Sequence, residues 1–139
     1  MRILNEIVSK FDHLCVNYGV EKIKLIGNTY MATTGISGED ELYLVKLADF
    51  AIALREKMTE INRMFNKQFV LRIGIEAGPL VAGVIGKKKF AFDIWGSTVN
   101  VASRMVGSFF FSHAFRSFLL PHFFFFFFLF LSGNHWSAG

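Results

Sequence analysis

From Arg2 to Met105 the apolar residues of this chain keep changing their spacing, and that succession limits the folds open to it. Ile3, Leu4, Ile7, Phe11 and Leu14 recur at helical spacing with Asn5, Glu6, Lys10 and Asp12 between them, which predicts an amphipathic helix over residues 2–16. Gly19 suits its C-terminus. From Glu21 the period drops: Ile23 and Leu25 alternate with Lys22 and Lys24, predicting a short strand with both lysines on the face opposite the two apolar residues. Gly27 and Asn28 offer a turn, and Thr29 to Thr34 reads as a second strand rich in β-branched and aromatic residues.

The helical period then returns. Ser37 to Glu41 is polar and acidic and suits a helix start, and Leu44, Leu47, Ala48, Ala51, Leu54, Met58 and Ile61 follow at spacings of three and four as far as Met64. Phe69, Leu71, Ile73 and Ile75 alternate with Val70, Arg72, Gly74 and Glu76 up to Gly78 and Pro79, where a tight turn is expected to return the chain as Leu80 to Ile85 in a hairpin. After Lys87 to Lys89 come Phe90 to Trp95, Gly96, and a helix beginning near Ser97 or Thr98. This order predicts an α+β fold with helices packed on a sheet. A ferredoxin-like βαββαβ unit has a strand before its first helix; here the order opens inside that helix, so the first strand is expected to be missing and the N-terminus truncated.

A chain of 139 residues holds one modest core, and its 19% charged residues with two prolines exclude a disordered segment. Cys15 is alone, so it forms neither an internal disulfide nor a zinc site, and it reads as a small buried apolar residue. The net charge of +4, densest at Lys22, Lys24 and Lys87 to Lys89, accompanies no nucleic-acid motif and no interleaved aromatics, so no nucleic-acid partner is expected. His13, His113, His122 and His135 lack metal-ligand spacing. Gly78, Gly83 and Gly86 do not form a phosphate loop and suit a tight hairpin.

The stretch Asp93-Ile94-Trp95-Gly96-Ser97-Thr98-Val99-Asn100-Val101-Ala102-Ser103-Arg104-Met105 remains. An acid precedes a glycine turn and a helix on which Asn100 and Arg104, at i and i+4, share a face. Arg offers a planar fork of donors to phosphate oxygens. Spacing alone leaves a capping Asn and a surface Arg as the simpler reading.

Four blocks in order, Arg2 to Ile7, Glu21 to Ala32, Leu71 to Gly86 and Asp93 to Met105, make the chain resemble the catalytic domain of the class III nucleotidyl cyclases, in particular the second cytoplasmic half of transmembrane adenylyl cyclases. The resemblance covers residues 1–105 and implies a cyclase domain of ferredoxin-like type, lacking its first strand and its C-terminal strands. It implies conversion of ATP to cyclic AMP and pyrophosphate, with Lys24 and Asp93 reading adenine as donor and acceptor, Ile94 contacting the base through its backbone, Asn100 orienting the ribose and Arg104 stabilising charge at the α-phosphate.

In the metal-binding half of such cyclases an acid stands where this chain has Asn28, and a neutral amide is a poor ligand for a hard cation. The expectation is therefore no metal site in this chain, with Mg²⁺ or Mn²⁺ supplied by a metal-bearing first half as partner. Further implied partners are heterotrimeric G-protein subunits, and the implied location is the cytoplasmic face of the plasma membrane within a polytopic parent. Phe90, Ala91 and Phe92 replace a more usual Pro-Gln-Tyr, and the triphosphate-binding lysine is missing. The rival reading is a catalytically inactive regulatory or dimerisation module. Retention of Lys24, Asp93, Asn100 and Arg104 together favours the enzyme.

Residues 106–139 depart from all of this. Of 18 Phe, 12 fall between Phe109 and Phe130. The run Phe118 to Leu131 is short for a membrane span and contains Pro121 and His122, and it has neither a helix nor a strand period. Phe, Leu, Ser and Pro share pyrimidine-rich codons, and a Val codon after Met105 begins as a splice donor does. The tail is therefore expected to be a translated intron, an artefact of the gene model.

Overall fold

A computed structural model describes residues 2–36 and 42–106 and the backbone of 124–132. The expected helix start at Ser37 to Glu41 lies outside the described residues, as does the rest of the tail. The elements are α1 (Arg2–Tyr18), β1 (Glu21–Ile26), β2 (Thr29–Thr34), α2 (Tyr43–Phe65), β3 (Val70–Gly78), β4 (Val81–Ile85), β5 (Ala91–Trp95), α3 (Ser97–Met105) and β6 (Phe124–Ser132).

The helix ends follow from local chemistry. Gly19 takes the left-handed conformation at φ 66°, and the Val20 amide returns to the Cys15 carbonyl at 2.9 Å, closing α1. Asn66 does the same for α2 at φ 50°, with the Lys67 amide donating to the Asn62 carbonyl. The Asn62 side chain then donates to the Phe69 carbonyl and accepts from the Phe69 amide, both at 2.9 Å. One carboxamide thus ties the end of α2 to the approach to β3.

Strands β1, β2, β6 and β3, in that order, form a four-stranded sheet, while β4 and β5 pair separately. The expected hairpin of β3 with β4 does not form. After Gly78 the chain leaves the sheet at Pro79, which has no amide to donate, and its carbonyl accepts from the buried Thr98 hydroxyl at 2.7 Å. Strand β4 finds β5 instead, with Gly83 opposite Asp93.

The sheet is covered on both faces. Tyr30 and Ala32 of β2 belong to a core with Ile7, Phe11 and Cys15 of α1 and Leu47, Phe50, Leu54, Met58 and Ile61 of α2. Met31, between them in sequence, packs with Ile94 and Ala102 on the α3 side. Pairing of a nine-residue strand at 124–132 was not legible as a period, because a strand enclosed on both faces reads as an unbroken apolar run.

Within the larger core Tyr30 is fully buried and meets the Phe11 ring edge-on at 5.8 Å. Its hydroxyl donates to Asp12 at 2.7 Å and lies 3.1 Å from the Cys15 sulfur. Cys15 is buried as expected, and it also has a polar partner. Burial pushes its thiol up to about 11 despite the Tyr30 hydrogen bond.

Candidate active site

The two lysines of β1 do not share a face. Lys24 pairs with Met31 and Lys22 with Ala32, so the register slips by one residue between them. The surplus residue is Ile23, and the result is a bulge. Lys22 turns to the α1 side, ion-paired with Asp12 at 3.0 Å and over the Tyr30 ring at 5.3 Å. Ile23 packs into the α3-side core and Leu25 into the opposite one. Lys24 is left free to reach across to β5, where its ammonium meets Asp93 Oδ2 at 2.8 Å. Strict alternation would have kept Lys24 with Lys22.

Asp93 sits at the inner end of this pair. Its side chain is 13% exposed against 37% for Lys24. Burial works to raise its carboxyl pKa, but the hydrogen bond from Lys24, the Ile94 amide on Oδ1 at 2.8 Å and the Lys24 charge together hold it below the ordinary carboxylate range. Both Asp93 oxygens therefore have donors. The Ile94 side chain is buried with Met31 and Ala102, and its amide is engaged by Asp93.

Gly96, at φ 138°, turns β5 into α3, and its carbonyl accepts the Asn100 amide at 3.3 Å. Helix α3 buries Thr98 and Ala102 and leaves Asn100 and Arg104 exposed. It lies directly on two glycines of β3. A methyl group at Gly74 would collide with the Ala102 carbonyl oxygen and stand 2.8 Å from the Val106 amide, and one at Gly78 would stand 2.5 Å from the Thr98 hydroxyl. These contacts and the Thr98 to Pro79 hydrogen bond fix where the exposed face of α3 projects. Sequence reasoning singled out Gly78 for a turn and passed over Gly74 and Thr98; small residues four apart on a strand facing a helix were the available signal.

The structure thus joins Lys24 to Asp93, carries Ile94 next to them, and sets Asn100 and Arg104 on the helix that follows. Such an arrangement offers a donor and an acceptor at one end and an exposed amide and guanidinium at the other.

Residues 1–108 match the family described as the adenylate and guanylate cyclase catalytic domain. The chain belongs to that family. An adenylate cyclase of Mycobacterium bovis is 39% identical over 105 residues, covering 76% of this chain and 24% of the relative. Adenylate cyclase type 9 of Xenopus laevis is 45% identical over 115 residues, covering 75% of this chain and 9% of the relative. A non-canonical dimeric guanylyl cyclase domain of the RhoGC fusion protein from Blastocladiella emersonii superimposes with a TM-score of 0.61 at 28% identity, covering 78% of this chain and 60% of that one. The chain therefore spans a quarter or less of these two curated relatives.

Cyclase domains of this family use Mg²⁺ or Mn²⁺. Of the described residues, neither Asn28, a neutral amide in the β1–β2 turn, nor Asp93, whose two oxygens already accept from Lys24 and the Ile94 amide, offers a free carboxylate to a divalent cation. Among the described residues no three His, Cys, Asp or Glu side chains cluster. Among them, too, no helix is long and apolar enough to cross a membrane.

Proposed function

We propose that this cyclase domain is the metal-less half of an adenylate cyclase site, forming cyclic AMP and pyrophosphate from ATP where it meets a metal-bearing partner half. The observation that carries this reading is the Lys24–Asp93 pair at 2.8 Å. An adenine edge presents a ring-nitrogen acceptor beside an amino donor, and guanine presents the reverse. A lysine donor beside a carboxylate acceptor complements the first.

In the reaction the ribose 3′-oxygen bonds to the α-phosphorus, the α–β bridging bond breaks, pyrophosphate leaves and the hydroxyl proton is released. Charge spread over phosphoryl oxygens is met by positioned donors. Lys24 and Asp93 hold the base, with the Ile94 backbone alongside. Asn100 orients the ribose, and Arg104 places its fork at the α-phosphate. The metal and its carboxylates belong to the partner half.

The surface for that half is supplied by the β4–β5 hairpin, on which Val81, Val84, Ile85, Phe90, Phe92 and Trp95 are all exposed. The resemblance to the second half of transmembrane adenylyl cyclases extends this reading to a place at the cytoplasmic face of a membrane within a longer parent, with G-protein subunits as further partners. None of residues 106–139 takes part in the nucleotide chemistry in this reading.

Mixing the chain with a metal-bearing cyclase half and assaying cyclic AMP tests the proposal. Product from ATP that disappears with Arg104→Ala is the expected result. A complex that forms without turnover would favour a regulatory, dimerising role instead.

A further inference from the structure

Strand β6 lies beyond the family match, yet it stands at the centre of the sheet. In a βαββαβ unit of ferredoxin-like order the first strand lies between the third and fourth and runs antiparallel to both. Here β1, β2 and β3 hold the places of the second, third and fourth strands, since β1 follows α1 and α2 joins β2 to β3. Strand β6 lies between β2 and β3 and is antiparallel to each, registered from Thr29–Phe130 to Thr34–Phe125 on one side and from Val70–Ser132 to Gly78–Phe124 on the other.

The ends of the chain agree with this placement. Ser132 closes β6 opposite Val70. Phe65, held near that point by the Asn62 clamp on Phe69, shares a pocket with Arg2, Ile3 and Glu6 of α1. The downstream end of β6 and the upstream end of α1 therefore share one edge of the molecule, where a link from a first strand into α1 would run.

The slot itself asks for such a strand. With β6 along it, β2 buries Tyr30, Met31, Ala32, Thr33 and Thr34, and the ladder from Thr29–Phe130 to Thr34–Phe125 gives that side of its backbone partners. Both α2 and α3 approach β6, and a strand enclosed by helices is served by a continuous apolar run.

We propose that Phe124–Ser132 is the docked central strand of this domain, taking the place between β2 and β3 that the first strand holds in the βαββαβ order. The space between β2 and β3 is a strand-acceptor site that selects for length and apolarity. This concerns the sheet alone and does not depend on the nucleotide chemistry.

The test uses the full chain carrying Cys15→Ser. Val70→Cys with Ser132→Cys, in register, should close an intramolecular disulfide at least tenfold faster than Glu76→Cys with Ser132→Cys, six positions out of register and roughly 20 Å apart along the strand. Equal rates, or a disulfide found only between chains, would overturn the proposal. Independently, hydrogen exchange of β2 and β3 amides should accelerate at least tenfold in Phe127→Pro, while Lys88→Pro, in the exposed link between β4 and β5, exchanges like the parent. Loss of folding in Phe127→Pro alone supports the docked strand. The same response in both proline variants, or in neither, refutes it.

Discussion

Lys24 on β1 and Asp93 on β5 meet at 2.8 Å although 69 positions separate them in sequence, and the contact joins the four-stranded sheet to the separate hairpin. Their neighbour Lys22 serves the opposite face with Asp12. This split makes the two lysines separable by mutation. With a metal-bearing half present, Asp93→Asn or Lys24→Met is expected to lower kcat/KM for ATP by roughly tenfold to a hundredfold, the loss of a charged hydrogen bond of about 1.5–3 kcal/mol. Lys22→Met should leave KM for ATP unchanged while lowering the melting temperature. Steady-state kinetics on the three variants, with thermal unfolding of Lys22→Met, reads both outcomes.

The depressed Asp93 pKa predicts an acid limb in stability. A carboxyl that titrates lower in the folded state than in the unfolded one stabilises the fold above its unfolded value of about 3.9. That contribution is lost as pH falls from there through the lower folded value. Thermal unfolding followed from pH 6 to pH 2 should show a loss in the parent that is smaller in Asp93→Asn.

At the other end of the scale, the Cys15 thiol has its pKa raised to about 11 from 9.0. The unfolded chain releases this proton first, so stability is full below pH 9 and declines as pH rises toward 11. A thiol reagent at pH 8 should react with the folded chain far more slowly than with the chain in denaturant, because burial and the missing thiolate both oppose attack. Equal rates would contradict the buried position of Cys15.

The glycines under α3 make a graded prediction. Gly74→Ala drives a methyl against the Ala102 carbonyl and Gly78→Ala drives one against the Thr98 hydroxyl, whereas the nearest atom to a methyl at Gly83 is 3.7 Å away on Trp95. Overpacking at the first two positions should cost about 1–3 kcal/mol, a fall of roughly 4–8 °C in melting temperature for each kcal/mol. Gly83→Ala should change it little.

Asn62→Leu removes both hydrogen bonds that tie the end of α2 to Phe69. The expected loss is about 1–3 kcal/mol in chemical denaturation. Asn62→Asp keeps the acceptor and should fall between the two.

Much of the helical frame was legible in the sequence because each helix carries its own signals. The periods of α1 and α2 and the stop at Gly19 need no partner to be read. What failed to read was non-local. Pro79 looked like the corner of a hairpin, and only the Thr98 hydroxyl and the α3 backbone explain why β3 and β4 part there. Alternation placed Lys22 and Lys24 together, since no rule of period two foresees a bulge. The site residues themselves came from resemblance, because nothing in the spacing of Lys24 and Asp93 announces that they touch. The unbroken Phe run hid β6 for the opposite reason, having too much apolarity to show a face.

The slip at Ile23 also says what kind of change could undo the site. Each side chain of β1 could stay as it is, and insertion of one residue into β2 between Met31 and Ala32 would give Ile23 a partner, restore strict alternation and return Lys24 to the face of Lys22. Recognition at this position is thus written in chain length as well as in residue type. An unchanged lysine would not report such a change, because one residue added opposite Ile23 carries the ammonium to the other face with the lysine still in place.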